Sequence, residues 1–114
     1  MAATLTHFTE EIQLSATEST LISAGATEKK FIGSIALTNT STSAVEFTLW
    51  LIGDTTTGTT GSGGNWSVKR TIAANSVIRV PELVGQVLDN SMKLSGLAGT
   101  ASVVNVRISG TTET

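Results

Sequence analysis

The stretch KFIGSIALTNTSTSAVEFTLWLI, residues 30–52, decides the fold class. Phe31, Ile35 and Leu37 share one parity, with Gly33 between them, and Val45, Phe47, Leu49 and Leu51 share one parity in the next run. Successive side chains of a strand point to opposite faces, so each run predicts a strand with one buried face. Between them lies the polar turn Asn39, Thr40, Ser41, Thr42, Ser43, of hairpin length. The expected element is a β-hairpin centred on Ser41, in which Leu37 faces Val45 and Ile35 faces Phe47. Its second face is polar near the turn, where Ala36 meets Glu46 and Ser34 meets Thr48. At the far end Ile32 meets Trp50, with Ile52 one step further. Large apolar patches rarely stay exposed, so this end needs a cover, either the rest of the chain or a neighbouring subunit.

The rest of the chain reads the same way. Ile12 and Leu14 alternate with polar residues in EEIQLSAT, a second strand, and STLISAGA follows. After the insert GDTTTGTTGSGGNW, Trp66, Val68 and Ile72 share a parity interrupted by Arg70. Ile78 and Val80 form a short strand that stops at Pro81, which cannot donate to a ladder and so marks a strand end or an edge. In PELVGQVLDN the residues Leu83, Val84, Val87 and Leu88 recur at near-helical spacing, consistent with a helical turn. Met92 and Leu94 share a face. Val104, Val106 and Ile108 point inward in the last strand, with Asn105, Arg107 and Ser109 outward.

Twenty Thr, thirteen Ser, one Pro and few charged residues make an all-β composition, because a branched Cβ suits the pleated backbone. The expected fold is an antiparallel β-sandwich or small barrel of about seven to eight short strands. One domain, residues 1–114, is expected, with residues 1–10 as a candidate N-terminal arm and residues 53–65 as a flexible polar loop. There is no cysteine, hence no disulfide and no thiolate metal site. The seven cations are scattered and the net charge is -2, which speaks against nucleic-acid binding. No apolar run approaches the ~20 residues of a membrane helix, and the N-terminal residues lack a secretory pattern, so a soluble chain made in a cytoplasm is expected.

No residue set suggests catalysis, a cofactor or a metal. His7 is the one histidine and sits in a terminal segment. Glu10 and Glu11 are adjacent, so on a strand they point to opposite faces and cannot work as an acid/base pair. Gly58 and Gly63 have P-loop spacing, but Gly64 stands where the lysine belongs. The two sequons at Asn39 and Asn65 are expected by chance in so Thr- and Ser-rich a chain. Trp66 either tucks into the sandwich end or anchors a partner, and a carbohydrate-binding module using Trp66, Asp54 and Asn65 is a distant alternative.

The blocks TEKKFIGSIALTNTSTSAVEFTLWLI, TIAANSVIRVPEL and SMKLSGLAGTASVVNVRISG together resemble small virion structural proteins of tailed bacteriophages, over roughly residues 20–110. The resemblance implies a β-sandwich accessory protein of the head or tail, without enzymatic activity. It implies a capsid decoration or cement protein first, and a tail, tail-tip or fibre-adaptor protein second. The implied partners are further copies of the chain, a trimer being favoured, and virion proteins such as the major capsid protein. The implied interface is Ile32, Trp50, Ile52 and Trp66, with residues 53–65 as a tip fitted to a neighbour.

Overall fold

The computed structural model of the chain describes residues 3–52, 66–89 and 92–113. The expected flexible loop at 53–65 lies outside them. Nine strands follow in order: β1 (Ala3–Gln13), β2 (Ser19–Ser23), β3 (Lys29–Asn39), β4 (Val45–Ile52), β5 (Trp66–Ile72), β6 (Val77–Arg79), β7 (Val87–Asp89), β8 (Lys93–Ala98) and β9 (Val104–Glu113). A 3-10 turn at Pro81–Leu83 separates β6 from β7. Sheet I has the order β1-β9-β3-β6, with β7 also pairing β3; sheet II has the order β2-β8-β4-β5. Every pairing is antiparallel. The strands β6 and β7 pair opposite ends of β3, at Ala36 to Thr38 and at Lys29 to Phe31, so they are one strand broken by the proline turn. That leaves two four-lane sheets, between which the chain crosses at every connection except the one from β4 to β5, which is the jelly-roll arrangement of a β-sandwich. Neither sheet closes into a barrel.

The core lies between the sheets. Leu37, Val106 and Ile108 of sheet I and Phe47, Leu49 and Leu94 of sheet II are wholly or almost wholly buried in one cluster with Leu14 and Ile72. Each such side chain contributes about 1.5–3 kcal/mol relative to exposure. The outward parity of β9 and the inward parity of Val45, Phe47 and Leu49 are as expected from the sequence.

The hairpin expectation is corrected. The strand β3 lies in sheet I and β4 in sheet II, so Leu37 pairs Val106 and Ile78, while Val45 pairs Ile72. The turn is an arch that crosses the sandwich, and Leu37 and Val45 enter the same core from opposite walls. Asn39 explains the crossing. It is completely buried, and its Nδ2 donates to the carbonyls of Ser43 (2.8 Å) and Ile72 (3.0 Å). Its Oδ1 accepts from the Ser41 backbone N–H (3.0 Å) and hydroxyl (2.8 Å). A hairpin would satisfy these backbone groups in its own ladder; the arch needs a side chain to do so.

Register shifts in three strands set which side chains face the core, and the one in β3 corrects an expected parity. In β3 the register to β9 shifts between Ile32 and Ser34, so Ile32 turns into the core and Phe31 turns out, 45% exposed. Two shifts in β1 bring Ile12 opposite the inward Val106, on the same side as Leu14 as expected though 38% exposed, and one in β2 buries both Leu21 and Ile22. In the Pro81 segment Leu83 and Leu88 are buried while Val84 and Val87 are exposed, so the helical spacing resolves into one turn followed by a strand. Residues expected as an N-terminal arm are largely β1, paired with the chain's own β9. No helix among the described residues is long and apolar enough to cross a membrane.

Candidate functional site

The four residues proposed from sequence are not brought together as one surface. Ile32 and Ile52 are 0% and 1% exposed, so the chain itself covers them. Trp50 is partly buried on the outer side of sheet II, between Ser67 of β5 and Ser95 of β8. Ser95 is itself buried, its hydroxyl donating to the Glu18 carboxylate at 2.7 Å. Trp66 opens β5 opposite Leu51, and its side chain lies outside the described part, as do those of His7, Glu10 and Glu11. Among the described residues no three His, Cys, Asp or Glu side chains gather to hold a metal. Asn39 is buried, which closes the first sequon to a glycan; Asn65 lies outside the described residues.

The outer face of sheet I carries the pattern instead. Directly paired residues of neighbouring strands share a face, so the register lays that face out in rows. At one end Glu113 of β9, Lys29 of β3 and Asp89 of β7 form a charged row. The next row is Leu5, Thr111, Phe31 and Val87, which crosses all four lanes of the sheet. Its apolar members are exposed, Leu5 at 86% and Phe31 and Val87 at nearly half. Then come Ser109 and Ser34, whose hydroxyls are hydrogen-bonded at 2.8 Å. Beyond them Arg107 and Arg79 flank Ala36. Neither arginine makes an ion pair with a described residue, whereas Arg70 pairs with Glu82 and Lys69 with Glu46 (3.5 Å).

A groove of about 460 Å³ runs between the apolar and hydroxyl rows, over Gly33 and Gly110 and between Leu5, Phe31 and Ser109. It continues past Ser34 into a second hollow of about 380 Å³ flanked by Arg79, Arg107, Pro81 and Val84. The groove exists because of the bulge. A Cβ on Gly110 would sit 1.9 Å from the Phe31 carbonyl oxygen, so only glycine lets β9 and β3 pass each other there. The sequence reading missed this site because the bulge reverses the side of Phe31. Its one signal was the pair of strand glycines, Gly33 and Gly110, since glycine in a strand often marks a bulge.

No protein-family model matches the chain, and no curated protein matches it. Solved structures do. A chain from Bacillus endospore appendages, described as a novel family of disulfide-linked pili, superposes with a TM-score of 0.57 at 10% identity, over 99% of this chain and 87% of that one. VP2 of infectious bursal disease virus, in a subviral particle, is similar at 16% identity over 97% of this chain and 32% of that one, with a TM-score of 0.40. The first likeness is one of fold; the second is too loose to weigh. The present chain has no cysteine, so the disulfide link of the pili has no counterpart in it.

Proposed function

We propose that the chain is a non-enzymatic structural subunit of an ordered protein assembly, and more narrowly a decoration or cement protein of a bacteriophage head. The observation that carries this reading is the exposed row of Leu5, Phe31 and Val87 across the whole of sheet I. A surface of aligned apolar side chains beside a groove is the form of a protein-binding face. Weak contacts of this kind gain strength by repetition over a symmetric shell. The major capsid protein and further copies of the chain are the partners, and the virion is the location. Trp50 on the outer side of sheet II remains a contact to such a neighbour in this proposal, as do Trp66 and residues 53–65.

The test is binding to heads purified without the protein, read by co-sedimentation and by the heating or osmotic stress at which heads lose DNA. The chain is expected to bind and to raise that threshold, and Leu5→Asp with Phe31→Asp to abolish both effects. Binding to tails and not heads would replace the first reading with the tail one. A second reading, a subunit of an extracellular filament, is favoured by the fold likeness to the spore-appendage chain over nearly all of both molecules. Filaments in electron micrographs of the concentrated chain alone would support it.

A further inference from the structure

We infer that the outer face of sheet I binds a second copy of this chain through a two-fold axis lying across the strands at Gly33 and Gly110. The inference rests on the structural-subunit reading and names its partner. Along β9 the face runs Glu113, Thr111, Ser109, Arg107, two residues per row. Along β3 it runs Lys29, Phe31, Ser34, Ala36, the bulge absorbing the extra residue. In the outer lane, Asp89 and Val87 of β7 lie at one end and Arg79 of β6 at the other. The acidic row and the arginine row are therefore equally far from the glycine pair, on opposite sides of it.

A two-fold axis in the plane of the face and perpendicular to the strands keeps each lane over itself and reverses the order of the rows. Glu113 then lies over Arg107 of the second copy, and Asp89 over its Arg79, with Lys29 over Ala36. Each contact occurs twice, as an isologous interface requires. Stacked sheets sit about 10 Å apart, within reach of facing arginine and carboxylate side chains. Nearest the axis, the Phe31 ring of each copy lies over the Ser34 row of the other, where the groove over Gly33, Gly110 and Ser109 has room for it. A two-fold axis parallel to the strands would instead exchange the lanes, setting Arg107 over Ala36 and Glu113 over Lys29 and leaving Arg79 and Asp89 over the β1 lane, away from each other. A ring of three would need this face to meet a different one. The acidic row carries Lys29 between its two carboxylates, so the attraction comes from the facing pairs rather than from net charge.

The mass of the chain is measured by light scattering and sedimentation over a dilution series. The wild type is expected to be a dimer at micromolar concentration, weakened by salt. Arg79→Glu with Arg107→Glu, or Asp89→Arg with Glu113→Arg, is expected to raise the dissociation constant roughly 10- to 100-fold. All four changes together restore the dimer, a result that a folding defect cannot give. Circular dichroism checks that each variant is folded. A monomeric wild type at every concentration, a trimer or larger ring, or a dimer indifferent to both charge reversals overturns the inference. A monomer that still binds heads overturns the dimer and leaves the structural role standing; a dimer that follows the charge pattern but binds no particle supports the dimer and removes the head reading.

Discussion

Asn39 does the most at the scale of a single residue. Its amide closes carbonyl groups of two turns, and backbone bonds from Asn39 to Ser76 (2.9 Å) and from Thr40 to Val103 (2.9 Å) bind the arch to two further loops. Asn39→Leu leaves these buried carbonyls without a donor. The expected loss is about 2–4 kcal/mol, seen as an earlier midpoint in urea unfolding. Asn39→Asp is expected to be at least as harmful, because a carboxylate would face carbonyl oxygens. The ion pair of Arg70 and Glu82 is the contrasting case. Both side chains are more than one-third exposed, so Arg70→Ala costs only about 0–1 kcal/mol in the same measurement. Residue type was readable in both places: a lone arginine within an apolar parity, and an asparagine at a strand end. What the asparagine held was not, because the partner that ties it to the next loop, Ile72, lies more than thirty positions away.

At the scale of elements, the bulge between β3 and β9 governs both packing and surface. Gly110→Ala drives a methyl group into the Phe31 carbonyl, and backbone cannot step aside as a side-chain tip can. The variant is expected to lose about 3 kcal/mol or more, or to fail to fold, measured by thermal unfolding. Phe31→Ser, in contrast, is expected to leave stability within about 1 kcal/mol while removing self-association, because the ring is about half exposed. Strands β4 and β9 were legible because their alternation is unbroken where it matters. The pairing of β3 was not. Period two reports which side chains are buried, and a hairpin and a cross-sandwich arch bury the same ones. The side of Phe31 in β3 was misread at its bulge, since a slip of one residue reverses every side chain beyond it. That is why Leu5, Phe31 and Val87 could not be seen as a row: their alignment depends on strands far apart in sequence. The free edges differ too. The edge strands β1 and β2 carry bulges, and β6 is short and stopped by Pro81, all devices that discourage edge pairing. In β5 seven consecutive residues pair β4 without a shift, and Lys69 and Arg70 put charge at its middle.

For the whole molecule, the sandwich is expected to fold without most of the segment between β4 and β5. Deleting residues 56–63 leaves 53–55 and 64–65 to join Ile52 to Trp66, a length that ordinary hairpins use. Unfolding midpoints are therefore expected to match those of the full chain, while binding to heads weakens. Unchanged binding would remove the segment from the proposed contact. The number of strands and the two-layer plan were within reach of the sequence, since turns and alternation are local. The order of strands in each sheet was not, because it is set by pairings between distant parts of the chain.

Those distant pairings also set a timetable. The first strand of the sandwich pairs with the last, and β2 with β8. On the ribosome, β1 must wait, its ladder groups unmatched, until β9 has been made. Refolding from urea is accordingly expected in milliseconds to seconds rather than microseconds, the pace of folds dominated by long-range pairing. Throughout that wait, a β9 from another chain is as good a partner for β1 as its own. Crowded synthesis would favour exchanged strands, and slow dilution would favour the closed monomeric sandwich.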